Sequence, residues 1–313
     1  MKRTMTRVPW AVLAAVALTI AVLGAQGQPA GQAPAPAPPD FSKVEIKTTK
    51  LTNNFYTLEG QGGTIGALVG PDGVFLVDSQ FAPLTDKIVA AIKQISDGRI
   101  RFLVNTHHHG DHTGGNENFG KLGISILSRP ELRAHLVRPS TAANGTTPPP
   151  APPVALPMLT YNGPVTVNMN GEEIRLIPVP AAHTDGDTMV KFVTADVIMT
   201  GDFYRSIQFP NIDRAGGGTL NGMLDGLKAV VDLAGPNTKI IPGHGPIVDK
   251  AAVAAHRDMI IALRDKVARL VQQGKTQEEV VGAKPTAEYE GKVQNIGITA
   301  DRFVGQLYGE LKR

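Results

Sequence analysis

The amino-acid sequence predicts a layered α/β sandwich. The chain has 313 residues, 42% of them hydrophobic and 19% charged, which is typical of a globular protein with a sizeable core. Short β-branched runs bounded by Gly, Pro, Asn or Asp occur in groups, and amphipathic helical segments separate these groups. Strands and helices in this order are expected to pack as layers.

The first 25 residues predict an export signal. Lys2, Arg3 and Arg7 precede an apolar run at residues 10–23, and small residues follow it. The run is shorter than the roughly 20 residues that a membrane-spanning helix needs, so a secretory signal peptide cleaved near Ala25 is expected. An uncleaved anchor is the alternative. Cleavage would leave a periplasmic or secreted protein without a stable membrane anchor.

Two further segments complete the predicted organisation. Residues 26–40 are rich in Gln, Pro and Ala and predict a flexible, partly extended linker. Residues 41–313 carry the patterning of a packed domain, which is the predicted catalytic domain.

The export signal also accounts for the net charge. The chain has 31 Lys and Arg against 28 Asp and Glu, and loss of the three basic residues near the N-terminus leaves 28 of each sign. The basic excess therefore does not indicate a nucleic-acid partner. The absence of cysteine excludes disulfides, cysteine-ligated metal sites and a thiol nucleophile.

The predicted elements follow from local patterns. The turn GPDG at residues 70–73 separates two strands, and Thr276 with Glu279 has the spacing of a helix capping box. Strands are expected at residues 64–69, 74–77, 101–104, 124–127, 165–169, 173–179, 189–193, 197–199 and 239–241. Helices are expected at residues 84–95, 129–136, 220–233, 251–273 and 299–311, with one more beginning after Thr276.

A histidine-rich block, THHHGDH, follows the strand predicted at residues 101–104. Residues two apart in an extended segment face the same side, so His107 and His109 are expected to point together and His108 away from them. Gly110 allows a turn, after which Asp111 and His112 return toward the same cavity. One loop is thus able to serve two metal ions.

Three more metal-competent residues each follow an apolar strand: His183, Asp202 and His244. Strand ends that cluster on one edge of a sheet are where sites form in α/β proteins. Imidazole and carboxylate ligands without sulfur suit zinc or iron. Asp78, at another strand end, is expected to orient the histidine loop. Three histidines are assigned no metal role, namely His108, His135 and His256.

These motifs resemble those of metallo-β-lactamase-fold hydrolases. The matching features are Asp78, the HxHxDH block at residues 107–112, His183, Asp202 and the GHG at residues 243–245. The resemblance spans residues from about 50 to 250 and implies a four-layer αββα sandwich with a dinuclear metal site. It also implies the ligand set: His107, His109 and His183 for a first zinc ion, Asp111, His112 and His244 for a second, and Asp202 bridging both.

The chemistry implied by the resemblance is hydrolysis. Two zinc ions per chain, with iron as the alternative, lower the pKa of a shared water, and the resulting hydroxide attacks a carbonyl. Asp111 is the predicted catalytic residue, which orients that nucleophile and relays its proton. The expected function is an exported dinuclear zinc hydrolase that cleaves an amide or lactam, a lactone or a thioester in a small molecule, β-lactams included.

Other functions stay open from sequence. The alternatives are an iron-dependent oxidoreductase similar to persulfide dioxygenases, a non-catalytic binding member of the fold, and a nucleic-acid hydrolase, against which the export signal counts. An aspartate at position 202 resembles the metal site of the glyoxalase II branch. The absence of cysteine sets the chain apart from the β-lactamases whose second metal site uses one. Tyr204 and Asn211 are expected to contact substrate or to serve loop structure. The Pro-rich segment at residues 146–157 predicts a surface loop or the border of a substrate cleft.

Overall fold

Two β-sheets face each other in the computed structural model, which describes residues 40–139, 141, 147–294 and 297–312. Residues 40–313 form one unit. The predicted signal peptide and all of the predicted linker but Asp40 lie outside the described residues, so these two assignments stay predictions.

The first sheet has seven strands in the order β1 to β7. Its first four strands pair antiparallel, and β4 to β7 pair parallel. The strands are β1 (Lys47–Lys50), β2 (Phe55–Glu59), β3 (Ile65–Leu68), β4 (Val74–Val77), β5 (Ile100–Val104), β6 (Ser125–Ser128) and β7 (Leu159–Thr160).

The second sheet has five strands in the order β12-β11-β10-β9-β8. Only the β11–β12 pair is parallel among the described strands of this sheet. The strands are β8 (Val165–Met169), β9 (Glu172–Pro178), β10 (Thr188–Phe192), β11 (Val197–Met199) and β12 (Lys239–Ile241).

Helices connect and cover the strands. Thr219, Asp249, Thr276 and Thr299 accept a hydrogen bond from a backbone N–H in the first turn of the helix that each precedes, and the predicted capping box at Thr276 is present. The helices are α1 (Thr85–Lys93), α2 (Gly110–Thr113), α3 (Asn116–Lys121), α4 (Pro130–Val137), α5 (Leu220–Leu233), α6 (Lys250–Gln272), α7 (Gln277–Gly282) and α8 (Ala300–Leu311). Within the described ranges, no helix is both long and apolar enough to cross a membrane.

Alternation along the strands divides the core into three parts. Phe75 of β4 faces the other sheet and packs edge-on against Phe192, whereas its neighbour Leu76 faces Ile88 of α1. On the far side of the second sheet, Ile198 packs in one cluster with residues of α5, α6 and α8. The layers are therefore helix, sheet, sheet and helix, which confirms the expected αββα sandwich.

The predicted strands and long helices are present, with ends shifted by one or two residues. Five elements were not predicted, and four of them lack a clear local signal. β1 is polar and half-exposed (KTTK), β7 has two residues, and α2 has four. These three and α3 depend on pairing and packing with distant segments rather than on local periodicity. The fifth is β2 (FYTLE), which was missed although its aromatic and β-branched residues are typical of a strand.

Parallel pairing determines where the strand ends meet. Because β4 and β5 run parallel, Asp78 and the segment after Val104 emerge at the same edge of the first sheet. The parallel pair β11 and β12 likewise brings the segments containing Asp202 and His244 together at one edge of the second sheet.

Candidate metal centre

The seven predicted ligands come together in the structure. The short helix α2, rather than a turn at Gly110, returns Asp111 and His112 toward His107. His183 lies in the loop between β9 and β10, and Asp202 lies in a one-turn 3₁₀ helix directly after β11. Their assignment as metal ligands stays a prediction.

The first group consists of His107, His109 and His183. The three ring centroids form a nearly equilateral triangle with sides of 4.9, 4.7 and 4.7 Å. Nδ1 of His109 lies 2.9 Å from Nε2 of His183. Three imidazole nitrogens that converge in this way have the arrangement of a metal site.

The second group consists of Asp111, His112 and His244. Oδ2 of Asp111 lies 3.1 Å from Nε2 of His244 and 3.8 Å from Nε2 of His112. The His112 side chain is fully buried, while Asp111 and His244 are partly exposed. This group therefore reaches solvent on the Asp111 side.

Asp202 lies between the two groups and is 3% exposed. Its Oδ1 is 3.3 Å from Nε2 of both His112 and His244, and its Oδ2 is 3.9 Å from Nε2 of His183. Oδ2 also accepts a hydrogen bond of 3.2 Å from Nη1 of Arg205. One carboxylate thus faces both groups, as expected for a bridging ligand.

Hydrogen bonds at the far side determine which ring nitrogen faces the centre. The Asn211 carbonyl, 2.7 Å from Nδ1 of His183, can only accept a hydrogen bond, so Nδ1 carries the proton and Nε2 has the lone pair. Oδ2 of Asp213 lies 2.8 Å from Nε2 of His109. The pKa of Asp213 is lowered despite its burial, chiefly by His109, so Asp213 is an ionised acceptor and Nε2 of His109 carries the proton.

The same reasoning applies to the other two rings of the histidine block. Asp78 lies 2.7 Å from Nδ1 of His112, as expected of a residue that orients this loop. The Thr106 hydroxyl donates to Asp78 and therefore accepts from Nδ1 of His107. Both rings then turn the lone pair of Nε2 toward the centre.

Four histidines, His107, His109, His112 and His183, thus present lone pairs to one small space. Lone pairs of His109 and His183 that face each other at 2.9 Å repel unless a proton or a metal ion lies between them. Among the described residues, Nε2 of His107, His112 and His244 and Oδ1 of Asp202 have no hydrogen-bond partner although they are buried. The donor set therefore fits divalent metal ions.

The electrostatics differ between the two groups. Burial lowers the pKa of His183 to about 4 and that of His107 well below its ordinary value, which keeps both rings neutral as metal ligation requires. Burial opposes the charged forms of His112 and His244, but Asp78 raises the pKa of His112 well above its ordinary value and Asp202 raises that of His244, so a metal ion there would displace protons from these rings. Burial opposes the charged form of Asp202, but His112 and His244 lower its pKa well below the ordinary value. Asp202 is thus a carboxylate in a setting that favours added positive charge.

Two glycines allow the close packing around the centre. A Cβ atom at Gly63 would overlap the His112 ring, and one at Gly243 would overlap Oδ1 of Asp202. Neither position accepts a larger residue unless these ligand side chains move.

Several site residues were missed by the sequence analysis. Asp213, Arg205 and Asp187 contact predicted ligands, and Asp187 accepts hydrogen bonds from the backbone N–H groups of His183 and Thr184. Burial raises the pKa of Asp187 to about 7. The sequence held a signal for Asp187, namely the two aspartates that follow His183 in the motif AAHTDGDT. Carboxylates next to a predicted ligand typically hydrogen-bond the loop that carries it.

Three expectations are corrected or sharpened. Tyr204 is 2% exposed and packs in the hydrophobic core, so the expectation that it contacts substrate is wrong. His108, expected to point away from the predicted ligands, stacks on His135 with ring centroids 4.1 Å apart, but its ring centroid also lies 4.7 Å from that of His109 and its Nε2 lies 3.9 Å from Asp213. His135 lies 2.9 Å from Asp185.

His256 gives a pH-dependent stability. Its ring packs edge-on against Tyr204, and its buried Nε2 has no hydrogen-bond partner among the described residues. Burial lowers its pKa from 6.5 to about 4, so the unfolded chain binds this proton first as the pH falls below 6.5. We expect His256→Leu to reduce the stability lost between pH 7.5 and pH 5 by about 2 kcal/mol, measured by urea unfolding. An equal loss in both proteins would contradict this expectation.

Comparisons with known proteins agree with the geometry. A sequence model of the Metallo-beta-lactamase superfamily matches residues 59–247, which is more than half of the chain. The sec-alkylsulfatase Pisa1 from Pseudomonas sp. superposes with a TM-score of 0.62 at 16% identity, covering 84% of this chain and 50% of that chain. This chain therefore spans about half the length of that enzyme.

Two metallo-β-lactamases are covered almost completely. DIM-1 metallo-β-lactamase has a TM-score of 0.57 at 18% identity, over 70% of this chain and 99% of that chain. A metallo-β-lactamase from Pontibacter korlensis has a TM-score of 0.56 at 17% identity, over 69% and 99%. At these identities the likeness establishes the common fold.

Proposed function

The chain belongs to the metallo-β-lactamase superfamily of metal-dependent hydrolases, and on that premise we propose that it is an exported dinuclear zinc hydrolase. Its substrate is a small molecule with an amide or lactam, lactone or thioester bond. One observation carries the proposal. Hydrogen bonds on the outer side of four imidazole rings turn their lone pairs into one space, and a single buried carboxylate, Asp202, lies between the two groups of candidate ligands.

Residues of the two groups would hold the ions. His107, His109 and His183 would bind one, Asp111, His112 and His244 the other, and Asp202 both. Bound zinc supplies Lewis acidity and activates water near neutral pH. No sulfur donor is present, which agrees with zinc bound by nitrogen and oxygen.

Asp111 is suited to orienting the attacking water. Burial opposes its charged form, but His112 and His244 lower its pKa to about 2, so it is ionised at neutral pH. It is also more exposed than Asp202, at 27% against 3%. A carboxylate that is both ionised and reachable is able to accept a hydrogen bond from an attacking water and so orient it, while Asp202 stays buried.

Export belongs to the proposal as well. The basic head, short apolar run and small-residue exit of residues 1–25 support a periplasmic or secreted enzyme. Mass spectrometry of the protein recovered from the periplasm or medium tests this part, with a new N-terminus near residue 26 as the expected result. An intact N-terminus in the cytoplasmic fraction would contradict it.

A metal analysis joined to a substrate panel tests the hydrolase. We expect two zinc ions per purified chain, and cleavage of at least one of a penicillin, a cephalosporin, a carbapenem, a lactone and a thioester. A secondary alkyl sulfate is added because an alkylsulfatase shares the fold, and its cleavage alone would keep the hydrolase but overturn the proposed substrate class. His109→Ala should keep its circular dichroism spectrum but lose activity, whereas His256→Leu should keep both. A zinc-loaded protein inactive on the whole panel, or iron with oxygen consumption, would overturn the proposal.

A further inference from the structure

A cavity of about 780 Å³ adjoins the metal centre. His109 and Asp213 line it, the Pro-rich segment forms a wall with Pro148, Pro149 and Pro152, and the last helix borders it. The cavity has the size of a site for a small molecule. The Pro-rich segment is exposed at residues 147–150 and borders this cavity, which agrees with both expectations for it, a surface loop and the border of a cleft.

Most of the wall is apolar. Besides the prolines, Leu136, Ala155 and Ile212 line the cavity. Apolar side chains around a cavity of this volume favour a ligand with an apolar body, because the ligand buries its own surface against them.

The charged groups of the lining differ in whether they are already paired. Glu117 forms an ion pair of 2.6 Å with Lys121, and Asp213 accepts from His109. Arg302 is exposed and forms no ion pair with any residue in the described ranges. The charge available to a ligand is therefore positive, and a guanidinium binds a carboxylate through two parallel hydrogen bonds.

The last helix is fixed relative to the centre. Gln306 accepts a hydrogen bond of 3.1 Å from the Ile212 N–H and donates one of 2.9 Å to Oδ1 of Asn211, whose carbonyl holds His183. Arg302 is four residues before Gln306, so both lie on the same face of α8. This helix lies outside residues 59–247, the part of the chain that matches the superfamily.

We propose that this cavity binds an organic anion with an apolar body, whose carboxylate contacts Arg302 while its reactive end lies at His109 and Asp213. The superfamily residues would then perform the chemistry, and α8 would select the substrate. The assignment of the cavity to substrate rests on the proposed hydrolase function. The binding itself does not require turnover.

Binding of two matched probes tests the proposal. The probes are 4-phenylbutyrate and the neutral 4-phenylbutanol, titrated calorimetrically into the zinc-loaded full chain. We expect the anion to bind about twofold to fivefold more tightly than the alcohol, as one exposed charged contact allows. Arg302→Gln should remove most of this preference without changing the affinity for the alcohol, and Arg302→Lys should restore part of it.

Arg257→Gln is the matched control, because Arg257 lies on α6 and pairs with Asp258 outside the cavity. It should keep the full preference for the anion. The proposal is overturned if neither probe binds, or if the preference persists in Arg302→Gln, as it would if the carboxylate contacted only the metals. Probe binding without cleavage in the substrate panel would instead refute the hydrolase and leave this site in place.

Discussion

Asp202→Ala is expected to abolish hydrolysis and to remove at least one metal ion from the centre. The carboxylate is buried and faces His112, His244 and His183. Its loss removes from the centre the negative charge that favours bound metal ions. Loss of a group that hydrogen-bonds a metal ligand commonly lowers metal affinity or activity about 10- to 100-fold. Loss of a direct ligand shared by two ions should therefore lower kcat/KM at least about 100-fold. Metal content by mass spectrometry and steady-state kinetics measure the two effects.

Two further variants make this result specific. Asp202→Asn keeps the shape and one oxygen but loses the charge, so it should retain more metal than Asp202→Ala and still be strongly impaired. Asp225→Ala removes an exposed carboxylate from α5 and should behave as the unchanged protein. Two metal ions and more than a tenth of the activity in Asp202→Ala would show that Asp202 does not bridge.

The seven candidate ligands were predictable because their signals are local. Each of His183, Asp202 and His244 follows a short apolar strand, and the four predicted ligands of the histidine block lie within six residues of one another. Because β4 pairs parallel with β5, and β11 with β12, the carboxyl ends of the paired strands lie next to each other, which is a general property of such sheets. The layers follow from the same alternation of strands and helices.

The groups behind the ligands were not predictable in this way. Asp213 lies 104 residues from His109 in sequence, and the contact depends on the path of the loop after Asp202. The group that holds His183 is the backbone carbonyl of Asn211, which any residue type supplies. The Asn211 side chain accepts from Gln306 of the last helix, and Asn211 also lines the cavity. Contacts of this kind leave no spacing pattern in the sequence.

Asp213→Ala is expected to weaken metal binding in the first group by about 10- to 100-fold, with a corresponding loss of activity. Asp213 is a positioning residue: its Oδ2 holds the protonated Nε2 of His109 and thereby directs the lone pair of Nδ1 toward His183. Without this acceptor, the His109 ring is free to rotate and to place its proton on either nitrogen. Asp213→Asn keeps an acceptor oxygen and should recover part of the affinity.

Competition with a chromophoric chelator measures this affinity without reference to turnover. Asp185→Ala is the matched control, since it breaks a histidine–carboxylate pair of 2.9 Å whose histidine, His135, is outside the seven candidate ligands. Its metal affinity should not change, because no ligand ring depends on it. His108, His109 and Asp213 also lie close enough to bind an ion themselves. A third ion per chain that is lost in Asp213→Ala would therefore identify Asp213 as a ligand and refute its positioning role. Two ions per chain with weaker binding, partly restored in Asp213→Asn, is the result expected if it acts through His109.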